Sequence, residues 1–232
     1  MRILALETST EYCSVALSLG GNLIERFELV GQRHSELLIA MLSDLLRDAK
    51  VKLADLDGIA FGAGPGSFTG VRIACGTAQG LALGANLPVL GVCTLQALAQ
   101  AANHSRVVAA LDARMGEIYH AAYELRDDVW QTVSEPYLCK AEDAPGVEGT
   151  DWFGVGSGFA APALQRCYAA QLQGVDDTAV PHAVAIAALA VEGFSQGMGV
   201  DAALAQPLYL RNKVAFKTAE REQIALAKML NA

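Results

Sequence analysis

A weak internal repeat constrains the fold of this 232-residue chain more than any other feature of its sequence. Each copy opens with a strand that ends at an acid, Glu7 or Asp112, followed by a turn and a second strand. Each copy later has a strand, a glycine-rich turn and a helix, in GIAFGAGPGSFTG and then in WFGVGSGFAAPALQ. Because repeated units adopt one topology, we predict an α/β protein of two duplicated lobes that face each other across a cleft.

Local hydrophobic periodicity predicts the individual elements. In the first half the predicted strands are 2–6, 14–19, 23–30, 56–62 and 88–92, and the predicted helices are 34–49 and 71–85. In the second half the predicted strands are 107–111, 117–125 and 152–158, and the predicted helices are 159–170, 181–195 and one from about 218. The acidic, turn-rich stretch 126–151 is predicted to form loops with room for a short helix.

These elements suggest where the lobes divide. We expect an N-terminal lobe at 1–103 and a C-terminal lobe at 104–211. A C-terminal helix at about 212–232 is expected to pack back on the N-terminal lobe.

Composition excludes several classes of protein. With 53% hydrophobic and 18% charged residues the chain is too apolar for intrinsic disorder. Its most apolar window, Ile73–Ala85, is shorter than the roughly 20 residues of a membrane-spanning helix. Glu7 interrupts the N-terminal apolar run before a secretory signal develops. We therefore expect a cytoplasmic protein that does not enter a membrane.

Charge and cysteine content narrow the classes further. The chain has 17 Lys and Arg against 25 Asp and Glu, and basic residues concentrate only from Arg211 onward. Because phosphate binding needs clustered cations, independent nucleic-acid binding is not expected. The five cysteines are scattered and form no C-x-x-C pair, which argues against a disulfide framework or a zinc ribbon.

The two helices of the first half carry unusual patterns. On His34–Ala49, apolar residues cover about 200° of the helix, twice the arc needed to face one core. On the second helix, Gly76, Gly80 and Gly84 form a stripe, although each glycine costs a helix about 1 kcal/mol. Each pattern has two explanations, which are tight packing inside the lobe and contact with another protein.

The loop Gly62–Gly70 is the most distinctive local motif. Glycines followed by a helix N-terminus can hold a phosphate through backbone N–H groups, which makes Gly64, Gly66, Ser67 and Thr69 weak phosphate-binding candidates. The loop matches neither a P-loop nor G-x-G-x-x-G. The alternative is a tight turn in which Ser67 or Thr69 caps the helix.

Acids and histidines give little support for a catalytic centre. Glu7 and Asp112 could orient metal-bound phosphates across the cleft, or could be solvated strand ends. The four histidines, at positions 34, 104, 120 and 182, form no metal-binding pair. Cys13, Cys75 and Cys93 lie among small or apolar residues and are interpreted as packing residues.

The chain resembles a known family over nearly its whole length. The similar segments are ILALETSTEYCSVALS, QRHSELL, GPGSFTGVRI, DARMGEIY and QPLYLRNKVAF. They resemble the TsaB (YeaZ) proteins of bacteria. The resemblance implies the two-lobed actin/sugar-kinase fold and a role in making threonylcarbamoyladenosine in ANN-decoding tRNAs.

The resemblance also bears on catalysis. TsaB proteins are similar to the catalytic paralogue TsaD, which carries two metal-binding histidines after a buried strand. Here Thr94 and Leu98 stand at those positions, and Leu98 cannot bind a metal. The resemblance therefore implies a subunit with no catalytic residue, no metal and no cofactor of its own.

The family pairs through the first two helices of its N-terminal lobe. The resemblance implies that TsaD is the partner, that the chain pairs with itself when TsaD is missing, that it helps recruit TsaE, and that it meets tRNA only through the complex. The matching interface residues are Leu37, Leu38, Met41, Leu42, Leu45, Val71, Gly76, Gly80 and Gly84.

Two other functions stay open. One is a nucleotide-dependent enzyme that uses Glu7, the 62–70 loop and Asp112 in the cleft. The other is a protease that acts on TsaD.

Overall fold

Each half of the chain begins with three antiparallel strands. The computed structural model describes residues 1–211. The elements of the first half are β1 (Arg2–Glu7), β2 (Tyr12–Leu19), β3 (Asn22–Leu29), α1 (His34–Ala49), β4 (Gly58–Gly64), α2 (Phe68–Ala85), β5 (Val89–Cys93) and α3 (Thr94–Ala101). Strands β4 and β5 continue the sheet in parallel with β1.

The second half repeats this order, with a 3₁₀ helix in the place of α1 and a shorter helix in the place of α2. Its elements are β6 (Arg106–Arg114), β7 (Glu117–Arg126), β8 (Val129–Lys140), β9 (Trp152–Val155), α4 (Pro162–Cys167), β10 (Leu172–Asp176) and α5 (Ala183–Ser195). Short 3₁₀ helices occur at Leu53–Asp55, Ala141–Asp143, Ser157–Ala160 and Ala202–Leu204.

The two sheets have the same strand order. The first sheet runs β3-β2-β1-β4-β5, and the second runs β8-β7-β6-β9-β10. In both sheets three antiparallel strands are followed by two parallel ones. The predicted duplication is therefore confirmed, and the fold is the two-lobed α/β class of the actin/sugar-kinase type.

Some predicted elements were wrong. Residues 129–140, predicted as loop, form β8, whose mostly exposed residues lack the apolar alternation of a half-buried strand. The helix predicted at 159–170 is confined to Pro162–Cys167. The helix predicted from about 218 lies outside the described residues.

The helices pack across the boundary predicted at 103/104. Helix α5 covers one face of the first sheet, where Ile186 and Ala190 join Ile3 and Ala60 in one core. Helix α3, from the first half, instead contributes buried residues to the core of the second sheet. The N-terminal lobe therefore includes 183–195, because its sheet needs a helix on each face.

Side chains of the first sheet hold the N-terminus of α5. The Ala183 N–H donates to Ser14 Oγ at 2.9 Å, and the Val184 N–H donates to Glu25 Oε1 at 3.4 Å. His182 Nδ1 lies 3.2 Å from the same carboxylate. Residues more than 150 positions apart thus satisfy the free amides of a helix end.

Among residues 1–211, no helix combines the length and apolar content needed to cross a membrane.

Candidate partner surface and interlobe cleft

The apolar face of α1 lies inside the N-terminal lobe. Leu38, Met41, Leu42 and Leu45 are buried against β2 and α2 in the main core, and Leu37 is half-buried beside them. In the isolated chain these four buried side chains are core residues and not a partner surface, whereas the half-buried Leu37 stays a predicted contact residue. Of the large apolar side chains of α1, Ile39 is the exposed one.

Helix α2 has one buried face and one open face. Val71 is buried in the lobe and is likewise removed from the partner surface. Gly76, Gly80 and Gly84 are exposed, and a Cβ added to any of them would meet no atom of the described chain within 4 Å. Packing inside the lobe therefore does not explain the glycines, whereas close approach of another helix would.

An apolar side chain stands beside this open face. Leu83 is 76% exposed, although the opposite side of the same helix is buried in the core. A single exposed leucine is ordinary on a protein surface, so Leu83 matters here only because it lies beside the open glycines. We call the exposed side of α2, with Gly76, Gly80, Leu83 and Gly84, the α2 face.

A strap of residues 205–211 crosses from the first lobe to the second. Gln79 Nε2 donates to Ala205 O at 3.0 Å, and the Leu208 N–H donates to Ala63 O at 2.7 Å. At its end Arg211 forms an ion pair with Glu117 at 2.7 Å and donates to a backbone carbonyl of the β6–β7 turn. The strap therefore ties β4 and α2 to the second lobe.

The strap also completes an aromatic cluster at the start of α2. The Arg72 guanidinium carbon lies 3.2 Å from the ring centre of Phe68 and 5.1 Å from that of Tyr209. Both rings are nearly half exposed. Arg72 is thus held flat against aromatic faces, as in cation–π pairs.

The glycine-rich loop forms one wall of a cleft of about 1000 Å³ between the lobes. Ser67 is the N-cap of α2, because its Oγ accepts from the Gly70 N–H at 3.3 Å. Its own N–H donates to Ser9 O at 2.7 Å. Gly64 lies against the strap carbonyl of Leu208. The helix-cap alternative was correct, and these groups are already engaged within the chain.

The acid of the first repeat is sealed away from the cleft. Glu7 is 1% exposed, accepts from the Ser9 N–H, and does not line the cleft. Its second oxygen, Oε2, has no hydrogen-bond partner among the described residues. Burial raises the pKa of Glu7 to about 7, although hydrogen bonds from Ser9 and Thr8 oppose the shift.

The remaining cleft candidates are occupied locally. Asp112 lines the cleft, but its carboxylate accepts from the Arg114 N–H at 2.9 Å and pairs with the Arg114 side chain. Thr69 is exposed, and its hydroxyl makes no hydrogen bond within residues 1–211. His34 is buried at the start of α1, with Nε2 3.0 Å from Tyr12 O. Asp112 and His34 are therefore held by contacts within the chain, and the exposed Thr69 has no defined role.

Thr94 and Leu98, the two positions that the sequence analysis compared with the metal-binding histidines of TsaD, have structural contacts in this chain. Thr94 and Leu98 are buried in α3, and the Thr94 hydroxyl donates to Pro65 O. Across residues 1–211 no group of three histidine, cysteine or acidic side chains is placed to hold a metal ion.

One serine, acid and histidine cluster does not form a nucleophile. Ser14 Oγ donates to Glu25 Oε1 at 2.6 Å, and His182 faces Glu25. Ser14 is 1% exposed and its Oγ accepts from the Ala183 N–H at the start of α5, so a substrate cannot reach it as it must reach a nucleophile. Sequence analysis missed this cluster and the strap, since both join residues far apart in the chain.

Comparison with known proteins identifies the family. A family model described as TsaD, tRNA N6-adenosine threonylcarbamoyltransferase, matches residues 28–216. The tRNA threonylcarbamoyladenosine biosynthesis protein TsaB of Escherichia coli (strain K12) is 41% identical over 94% of this chain and 97% of its own length. The protein of the same name from Haemophilus influenzae is 38% identical over 94% of this chain and 96% of its own.

Solved structures support the same family. YeaZ from Pseudomonas aeruginosa is 40% identical, with a TM-score of 0.82, over 90% of this chain and 99% of the other. A second Pseudomonas aeruginosa structure, described as similar to peptidase YEAZ, is 39% identical with a TM-score of 0.83 over the same shares. The resemblance inferred from sequence motifs is confirmed, and the chain belongs to the TsaB (YeaZ) family.

Proposed function

We propose that this chain is a non-catalytic subunit of the assembly that places threonylcarbamoyl groups on adenosine in tRNA. Relatives that match nearly its full length are named as threonylcarbamoyladenosine biosynthesis proteins. Its job is to pair with TsaD through the α2 face and support the active form of that subunit. TsaD performs the transfer, and tRNA is met only through the complex.

The observation that carries this proposal is the open stripe of α2. Three glycines at an exposed helix surface cost the isolated chain about 1 kcal/mol each relative to alanine, and no described side chain uses the space they leave. A helix of the partner can approach the α2 backbone closely there. Because this chain itself matches the TsaD family over residues 28–216, the pairing would join two subunits of similar fold.

The wider role follows from this pairing. The chain would bind a second copy of itself when TsaD is missing, since the same face is then uncovered. The pair would also form the surface that TsaE recognises. Because its partners act on tRNA, the chain would work in the cytoplasm.

The pairing is tested with Gly80→Leu, which adds a large side chain to the centre of the α2 face. We expect loss of co-elution with purified TsaD and at least a tenfold weaker Kd by calorimetry. Gly146→Leu is the matched control, because Gly146 is also open to solvent but lies in the second lobe. Wild-type affinity of Gly80→Leu, with circular dichroism unchanged, would refute the assignment.

The enzyme alternative has less support from the site. A nucleotide-dependent enzyme would need Glu7 open to the cleft, and its carboxyl group is buried instead. Calorimetry with ATP and Mg²⁺ on the isolated chain separates the two functions. Tight binding with turnover would favour the enzyme. Cleavage of TsaD on prolonged mixing would favour the protease.

A further inference from the structure

Arg72 is the one charged residue in the 18-residue helix α2. It lies on the exposed side of the helix. At 100° per residue it lies within about 40° of Gly76 and about 20° of Leu83 around the helix axis. It therefore borders the α2 face rather than the core.

The arginine is held in place before any partner binds. Its guanidinium stacks on Phe68 at 3.2 Å, and Tyr209 lies on a strap that is fixed by the hydrogen bond from Leu208 to Ala63. A free arginine side chain loses about 2 kcal/mol of rotamer entropy when it is fixed. Here the aromatic cluster removes part of that loss in advance.

No carboxylate of the described residues neutralises this arginine. Arg211, at the end of the strap, is paired with Glu117. Arg72 makes no salt bridge within residues 1–211. Covering it without an acceptor would be costly, because an unpaired buried charge is strongly destabilising.

We propose that Arg72 determines partner specificity by pairing, as a preorganised fork, with a carboxylate on the subunit that covers the α2 face. This inference rests on the pairing proposed above. The guanidinium fork matches a carboxylate in bidentate geometry. Because the chain carries a net charge of −8, an acidic partner side chain is attracted at this position and repelled over most of the remaining surface.

The test compares three variants for binding to purified TsaD in the full-length chain. Arg72→Met keeps the apolar stem and removes the charge, and we expect its Kd to weaken by about 30-fold or more. Arg72→Lys keeps the charge without the fork, and its Kd should fall between those of the wild type and Arg72→Met. Arg72→Glu should abolish binding. Raising NaCl from about 50 to 500 mM should weaken wild-type binding more than Arg72→Met binding, because salt screens the ion pair.

The role of the aromatic cluster is tested separately. Tyr209→Leu removes one of the two rings that hold the guanidinium and leaves Phe68 in place, and we expect a several-fold weaker Kd in the wild-type background. In the Arg72→Met background the same change should have no further effect. Equal effects in both backgrounds would show that Tyr209 contacts the partner itself, and would overturn its role as a positioning residue.

Three results would overturn the proposal. If Gly80→Leu weakens binding but Arg72→Met does not, the pairing stands and this inference fails. If Arg72→Met lowers affinity for tRNA but not for TsaD, the acceptor is a phosphate. The double variant Glu220→Gln, Glu222→Gln is made in two backgrounds, one with Arg72 and one with Arg72→Met. If it changes the affinity for TsaD only where Arg72 is present, the arginine is paired within its own chain. Failure of both Gly80→Leu and Arg72→Met to weaken binding refutes the pairing itself.

Discussion

Glu7 and Gly62 form a complementary pair inside the N-terminal lobe. The carboxyl group occupies the space above Gly62, and a Cβ at position 62 would overlap Glu7 Oε2. Glu7 ends the strand β1 as its position in the repeat predicts, but its burial depends on β4 lying alongside. That neighbour lies more than fifty residues away, so the sequence alone could place the acid at the strand end and not inside the lobe.

The buried carboxyl group makes stability depend on pH. Because burial raises the pKa of Glu7 from its ordinary value of 4.5 to about 7 in the folded chain, the folded state holds its proton longer. The stability contribution is complete below pH 4.5 and is lost as pH rises through 7, by about 3 kcal/mol. We predict that Glu7→Gln removes this loss. Hydrogen exchange of the β1 amides between pH 5 and 8 measures this loss of stability. If stability depends on pH in Glu7→Gln as it does in the wild type, the prediction is wrong.

His120 has the opposite dependence in the second lobe. Tyr168 donates its hydroxyl proton to Pro145 O, so His120 Nε2–H must donate to the Tyr168 oxygen, 2.7 Å away. That leaves Nδ1 unprotonated, buried and without a partner among residues 1–211. Burial lowers the pKa of His120 from 6.5 to about 4, because a second proton would have no acceptor.

We therefore predict that the second lobe loses about 3 kcal/mol as pH falls from 6.5 through 4. The contribution is complete above pH 6.5, where His120 is neutral in both states. His120→Gln keeps an N–H for Tyr168 and should flatten the profile. Both tryptophans, Trp130 and Trp152, lie in the second lobe, so their fluorescence in urea reports this lobe. If the stability of His120→Gln depends on pH as strongly as that of the wild type, the pH dependence does not come from His120.

At the scale of the element, α2 carries glycines for two different reasons. Gly70, at its first turn, packs against the backbone of Thr8, so a Cβ there would overlap a carbonyl group. Gly76, Gly80 and Gly84 meet nothing within the described chain. The sequence stripe identified the second group of glycines but left open whether the space they leave serves packing inside the lobe or contact with another protein. It could not tell which protein supplies the helix.

A crowded glycine and an open glycine should respond differently when each is replaced by alanine. We predict that Gly62→Ala, on the neighbouring β4, destabilises the chain by about 3 kcal/mol through overpacking. Gly80→Ala should stabilise it by about 1 kcal/mol through helix propensity. Urea unfolding followed by far-ultraviolet circular dichroism compares them.

A double-mutant cycle tests the cause of the Gly62→Ala effect. In a Glu7→Ala background the added methyl group has room, so most of the cost should disappear. An unchanged cost in that background would show that Thr94, whose Cγ2 lies 3.3 Å from the added Cβ, is the obstacle instead.

Helix α1 shows the limit of periodicity. Its bounds, His34–Ala49, were predicted correctly. Its wide apolar arc did not distinguish a core from a partner, because both exclude water equally well. Packing decided the question: β2, β3 and α2 cover Leu38, Met41, Leu42 and Leu45, and the exposed side retains mainly polar residues.

At the scale of the molecule, the repeat predicted the two lobes but not the exchange of helices between them. Helices α3 and α5 hold equivalent places in the two copies, yet α5 packs on the first sheet and α3 on the second. A repeat fixes the order of elements along the chain. Which sheet a connecting helix covers is decided by the apolar faces left open after both sheets form.

The strap adds a polar link between the two lobes at the mouth of the cleft. Arg211, 15% exposed at its side chain, pairs with Glu117 at 2.7 Å and donates to Ala113 O at 3.0 Å. Residues 114 to 116 of this turn have positive φ values of 64°, 61° and 78°. Such a turn needs external support, because left-handed backbone is unfavourable for Arg114 and Met115.

We predict that Arg211→Met loosens this link without unfolding either lobe. The loss of a charge-assisted hydrogen bond should cost about 2 kcal/mol, which corresponds to roughly 30-fold faster hydrogen exchange of the turn amides at 114–117. Exchange in β1 and β4 should stay at the wild-type rate. Glu117→Gln retains an acceptor and should have a smaller effect. Arg166→Met is the control, because Arg166 is exposed and makes no salt bridge among the described residues. Wild-type exchange of the turn in Arg211→Met would show that the contacts of Ala205 and Leu208 hold the strap alone, and that the second lobe does not depend on it.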